Sequence, residues 1–73
     1  MYIIAKINEV TQMVSYLYKT RKDRFAFANV SNMNFNTEEE AINFIHFRFD
    51  SIKQYITDND KLIVVPKEGD EDD

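Results

Sequence analysis

The chain has 73 residues, of which 44% are hydrophobic; nine Lys or Arg stand against thirteen Asp or Glu, with one His, one Gly, one Pro and no Cys or Trp. Without cysteine there is no disulfide framework, no thiolate nucleophile and no Cys-ligated zinc or iron–sulfur site, and the single glycine, Gly69, cannot build a phosphate-cradling loop. The length allows one small domain, and no apolar run approaches the roughly 20 residues of a membrane-spanning helix.

The formal net charge of −4 is unevenly placed. Residues 66–73, Pro-Lys-Glu-Gly-Asp-Glu-Asp-Asp, hold five acids and one base, which accounts for all of it. Residues 1–65 hold equal numbers of acids and bases and are expected to form a single domain. The acidic end reads as a disordered tail, because its composition buries nothing. No basic leader precedes an apolar stretch, so a cytoplasmic protein is expected. Richness in Asn and Ile with scarcity of Gly and Pro fits an AT-rich genome, such as a low-GC bacterium or its phage.

In chain order, residues 2–7 are short and β-rich and read as a strand. Residues 8–12 are a polar turn, and 13–18 a second strand. Residues 19–24, Lys-Thr-Arg-Lys-Asp-Arg, contain nothing apolar and form a hairpin loop. Residues 25–30 alternate large and small as a third strand would. Short connections favour an antiparallel meander. Residues 31–36 are a connector. Thr37-Glu-Glu-Glu40 then forms a capping box, with the Thr37 hydroxyl accepting from the amide three residues on and Glu40 reaching back to the Thr37 amide. Three carboxylates also suit the positive end of a helix dipole.

The helix is expected from Glu38 to about Thr57. At 100° per residue, Ala41, Ile42, Phe44, Ile45, Phe49, Ile52, Tyr55 and Ile56 share one wide arc. Arg48 falls inside that arc and Phe47 outside it. A kink near Phe49–Ser51 would reset the phase and relieve both conflicts, so one bent helix and two short helices are both open. Residues 58–61 are a turn, and 62–65, Leu-Ile-Val-Val, a final strand that Pro66 ends. The expected fold class is α+β: a three- to four-stranded, mainly antiparallel sheet in the order β-β-β-α-β, packed on one bent or broken helix.

Catalytic constellations are missing from the sequence. His46 is the only histidine and reads as a solvated residue beside Lys53. No His/Glu pair has metal-ligand spacing, and Ser15, Ser31 and Ser51 lack a glycine-flanked nucleophile turn. Asp58 and Asp60 lack the glycine and closing glutamate of a calcium loop. No catalytic residue, metal ligand or cofactor is expected, and binding is favoured over catalysis.

Two surfaces stand out. Lys19, Arg21, Lys22 and Arg24 surround one acid and are flanked by Tyr16, Tyr18, Phe25 and Phe27. Basic side chains beside aromatics suit phosphate contact and base stacking. The second surface is the sheet itself. One helical layer covers one face, yet the strands are apolar on both: Ile3, Ala5 and Ile7 against Tyr2 and Ile4, Val14, Tyr16 and Tyr18 against Met13 and Leu17. A half-solvated sheet alternates more cleanly. An uncovered apolar face is expected to meet a protein partner or a second copy of the chain.

The segment Phe35-Asn-Thr-Glu-Glu-Glu-Ala-Ile-Asn-Phe-Ile45 resembles the helix entry of small β-β-β-α modules of phages and mobile elements, such as the arm-type DNA-binding domain of tyrosine recombinases. The resemblance covers about residues 13–45 and implies a three-stranded sheet lying in a DNA groove. The chain departs from that pattern in carrying glutamates where the arm domain carries lysines after the Thr. In size, acidity and lack of catalytic residues the chain is also similar to phage-encoded inhibitors of host defence, including anti-CRISPR proteins. That likeness implies tight binding to a host nucleic-acid-handling enzyme.

The leading expectation is a non-enzymatic protein-binding module of this inhibitor kind. Its anchors would be Tyr16 and Tyr18, with steering acids at Glu38, Glu39, Glu40, Glu68, Asp70, Glu71, Asp72 and Asp73. The alternatives are a DNA-binding module using Lys19, Arg21, Lys22 and Arg24, and a homodimeric accessory protein joined through the uncovered sheet face.

Overall fold

A computed structural model describes residues 1–21 and 24–67. The elements are β1 (Tyr2–Asn8), β2 (Val14–Arg21), β3 (Arg24–Ala28), α1 (Glu38–Ile52), a single 3₁₀ turn (Lys53–Tyr55) and β4 (Asp60–Pro66). They form a four-stranded sheet in the order β3-β2-β1-β4, with every pair antiparallel. The α+β class, strand order along the chain and single helical layer are as the sequence predicts.

Boundaries differ where backbone pairing outweighs composition. Lys19 pairs with Phe25 and Arg21 with Arg24, so the basic stretch 19–24 is mostly ladder rather than loop. A register shift between Lys19 and Arg21 marks a bulge there. β4 runs from Asp60 through Pro66, and the Lys67 N–H donates to the Met1 carbonyl at 2.9 Å. Pro66 therefore belongs to β4, and Lys67 is tied by that bond to the start of the chain. The helix stops at Ile52, five residues short of its predicted end, and tightens into the 3₁₀ turn.

Alternation along the strands sends Ile4, Leu17, Phe25 and Phe27 to one face, and α1 packs there. Ile4, Leu17, Phe25, Ala41 and Ile52 are buried, with Phe35, Phe44, Ile45, Leu62 and Val64 packed around them. Phe25 and Phe44 meet edge to face at 5.6 Å between ring centroids. The connector contributes as well as the helix. The β1–β2 ladder is confined to the stretch Ala5↔Tyr16 to Ile7↔Val14. Beyond it the Ser31 hydroxyl donates to the Leu17 carbonyl at 2.7 Å, and the Asn32 amide group both donates to and accepts from the Lys19 backbone at 2.8 Å. Phe35 exchanges two backbone bonds with Tyr2. Residues 31–35 thus satisfy strand groups that would otherwise lie open in the notch between β1 and β2.

The helix begins as its capping residues require. Thr37 is extended, and its hydroxyl accepts from the Glu40 amide at 3.1 Å. Glu40 reaches back one residue further than predicted, to the Asn36 amide at 3.2 Å. The break in the helix falls at Arg48 (φ −114°, ψ 18°), the residue that carries the phase conflict. The two segments stay joined as one kinked helix. The kink does not rescue Phe47, which remains 83% exposed with the Arg48 guanidinium 5.7 Å from its ring.

Candidate functional site

The face of the sheet opposite α1 carries Ile3, Ala5 and Ile7 from β1, Val14, Tyr16 and Tyr18 from β2, Ala26 and Ala28 from β3, and Ile63 and Val65 from β4. Register explains its shape. Ala5 sits between Tyr16 on one neighbour and Ile63 on the other, and its small side chain is only 1% exposed. Flanking side chains rise around it, so the face is a trough and not a plane. Pairing also sets Tyr16 opposite Ala28 and Tyr18 opposite Ala26. A shallow groove runs along this trough from Ile7 and Val14 to Pro66 and Lys67. The tyrosines are half-buried, and Val14 is 43% exposed.

No acidic or basic side chain lies within the β1 and β2 part of this trough, and its cations, Lys61 and Lys67, stand at the β4 margin. Lys61 pairs with Glu9 at 3.1 Å. Lys67 lines the groove at the point where the described chain ends. The sequence places five carboxylates directly after it.

The predicted partner-binding residues do not converge. Tyr16 and Tyr18 lie on the open face, whereas Glu38, Glu39 and Glu40 open the helix on the covered side. All three glutamates are exposed; Glu40 serves the helix start, and Glu38 lines a second groove beside β4. Glu68, Asp70, Glu71, Asp72 and Asp73, and with them the predicted tail, lie outside the described residues. Of the basic set, Lys19, Arg21 and Arg24 are exposed at the β2–β3 end, and Lys22 lies outside the described residues. Arg21 and Arg24 stand directly across the ladder from each other. Like charges so placed repel.

A polar cluster that sequence reasoning missed closes the other end of the sheet. Asp60, its side chain 5% exposed, accepts from the Thr57 amide at 2.8 Å, the Thr57 hydroxyl at 3.0 Å and the Asn8 side-chain amide at 2.9 Å. The Lys6 ammonium lies 3.9 Å from it, donates to the Tyr55 carbonyl at 2.8 Å and sits 4.6 Å from the centre of the Phe27 ring. Asn8 in turn accepts from the Val10 and Thr11 amides and shapes the β1–β2 turn, where Gln12 takes a left-handed φ of 67°. Every group here has a structural partner. The Asn-Glu and Asp-Asn-Asp sequences signalled turns, but not that Asn8 and Asp60 would face each other across paired strands.

The bond from the Thr57 amide is the main influence holding the Asp60 carboxyl below its ordinary value of 3.8; burial opposes it, and Asn8, the Thr57 hydroxyl and Lys6 add to it. Asp60 releases its proton more readily folded than unfolded. Its stabilisation is therefore complete above about 3.8 and is lost as the pH falls below that value. Thermal unfolding followed through this acid range should decline more steeply for the wild type than for Asp60→Asn. Equal slopes would remove Asp60 from the account of acid stability.

Among the described residues, no group of three or more His, Cys, Asp or Glu is placed to hold a metal ion, and no helix is long and apolar enough to cross a membrane. No family model, no curated protein and no solved structure matches the chain.

Proposed function

We propose that this chain is a non-enzymatic protein-binding module that docks its partner through the open face of the sheet. The observation that carries this reading is the trough of Ile3, Ile7, Val14, Tyr16, Ile63 and Val65, an apolar surface that α1 leaves uncovered. Such patches on small proteins mark interaction surfaces. Half-buried tyrosines supply anchors of low conformational cost. The occupant that fits is a protein surface with an apolar ridge and a basic border. The ridge fills the trough, and the border complements in charge the five carboxylates that follow Lys67 in the sequence. Enzymes that handle nucleic acids present basic surfaces of this kind. An inhibitor of such an enzyme is the finer form of the proposal, in keeping with the likeness to anti-CRISPR proteins in size and acidity.

The competing reading is direct DNA binding through Lys19, Arg21, Lys22 and Arg24. A titration with duplex DNA at low and moderate salt separates the two. Phosphate contact gives affinity that falls steeply with salt, in proportion to the number of phosphates neutralised. The proposal expects no binding that responds to neutralising the four hairpin bases. Salt-sensitive binding that vanishes on Lys19→Gln, Arg21→Gln, Lys22→Gln and Arg24→Gln would replace it with the DNA-binding reading.

A further inference from the structure

The outer edge of β4 is a second surface, independent of the open face. Two backbone bonds fix which of its groups point outward. Lys67 N–H donates to Met1 O, and Glu9 N–H donates to Asn59 O. In the antiparallel β1–β4 register these are mutually bonded positions, and so, every second residue between them, are Ile3↔Val65, Ala5↔Ile63 and Ile7↔Lys61. Leu62 and Val64 are the alternate positions. Their N–H and C=O groups point away from β1, where no strand of the sheet follows among the described residues. Sheet edges are normally blunted by inward charges, bulges or a covering element. Among the described residues, the stretch from Leu62 to Val65 has none of these. The opposite edge, β3, is shorter, begins at Arg24, and has the Tyr55 ring 6.3 Å from Phe27.

Beside this bare edge lies a groove whose other wall is α1: Glu38, Ile42, Ile45 and His46 face Leu62, Ile63 and Val64. Ile42 is 42% exposed. An extended strand laid on β4 would gain main-chain bonds from the edge and apolar contact from this wall, the usual economy of strand addition.

From this edge we infer that a second copy of the chain pairs antiparallel with β4, joining two sheets into one continuous sheet about a two-fold axis at Ile63. The edge is self-complementary in that register. Leu62 meets Val64 of the second copy, N–H to C=O in both directions, and the axis repeats the exchange. The next pair is Asp60 with Pro66 of the second copy. Asp60 N–H is already bonded to Thr57 O, and proline has no N–H, so the ladder stops where its donors run out. The helix wall follows the same symmetry. Residues 38 and 46 stand four before and four after Ile42, so an axis that brings the two Ile42 side chains together sets the carboxylate of Glu38 toward the imidazole of His46 on the second copy. Such an interface is closed and ends at a dimer. A foreign strand would meet the same edge without this internal matching.

The test is sedimentation of the full chain over a concentration series, with amide hydrogen exchange read residue by residue. A dimer is expected at high-micromolar concentration, with the Leu62 and Val64 amides becoming at least ten-fold more protected as it forms. Ile42→Lys puts two like charges on the axis at an already exposed position and should return the chain to monomer with its circular dichroism unchanged. Val14→Lys, on the open face, should leave the dimer intact. A monomer at every concentration overturns the inference. So does a dimer that Val14→Lys dissolves while the Leu62 and Val64 amides stay unprotected. Protection of those amides only when another protein is added would assign the edge to a foreign strand instead.

Discussion

Leu17→Ala should leave the chain largely unfolded at room temperature. Leu17 is fully buried on the covered face, directly across from Phe27 and within the cluster of Ile4, Phe25, Ala41 and Ile52. Deleting such a side chain costs about 2–5 kcal/mol, as lost transfer energy plus the cavity left behind. A domain of this size with no disulfide or metal holds only about 3–5 kcal/mol in reserve. The loss is thus comparable with the whole stability. Val14→Ala, three residues earlier and so on the open face, where Val14 is 43% exposed, should change stability by no more than about 0.5 kcal/mol. Urea unfolding followed by circular dichroism reads both. If the two variants were equally stable, the assignment of inner and outer faces would be wrong.

Tyr16→Ala should weaken partner binding by about 2 kcal/mol, roughly thirty-fold in Kd, and leave the fold standing. The ring borders the trough over Ala5 and is not part of the buried cluster. Tyr18→Ala should cost less, because Tyr18 lies beyond the groove that Tyr16 lines. The ordering is a direct consequence of the register, since β1 pairs with β2 only at Tyr16, Ser15 and Val14. If Tyr18→Ala had the larger effect, the contact would lie toward the β2–β3 end, nearer the basic hairpin.

Element order and fold class were legible because each element carried its own local signal. Thr37 and the three glutamates announced the helix, and they begin it in the structure. Alternation along β1 and β2 identified a sheet apolar on both faces, and register then divided those residues between core and trough. What was not legible depends on contacts distant in sequence. Composition read residues 19–24 as a loop, because every side chain there is polar, yet pairing with β3 carries the ladder through Lys19 and Arg21. Asn8 and Asp60 looked like turn residues in isolation, and only the β1–β4 register makes them partners.

The helix shows the same limit in a finer way. The phase conflict between Phe47 and Arg48 was visible at 100° per residue and pointed to a kink near Phe49–Ser51, whereas the break falls just before that stretch, at Arg48. The expected remedy, burial of Phe47, did not follow: its side chain stays on the outer side of α1, largely exposed among the described residues. The candidate site was legible in part. Tyr16 and Tyr18 lie where the alternation put them, but Glu38–Glu40 belong to the other side of the sheet. The β4 edge gave only a weak sequence signal, a charge-free Leu-Ile-Val-Val run closed by proline, and needed the hydrogen-bond phase to become a surface.

The central claim is that the open sheet face, and not the basic hairpin, makes the functional contact. It is tested most directly by quantitative capture of the same partner from a host lysate on three immobilised forms: wild type, the open-face variant Ile3→Lys with Val14→Lys, and the hairpin variant Lys19→Gln with Arg21→Gln and Arg24→Gln. All three should fold, as circular dichroism will verify. The partner should be retained by the wild type and the hairpin variant and lost, by at least ten-fold in yield, from the open-face variant. Retention on the open-face variant with loss on the hairpin variant would contradict the account.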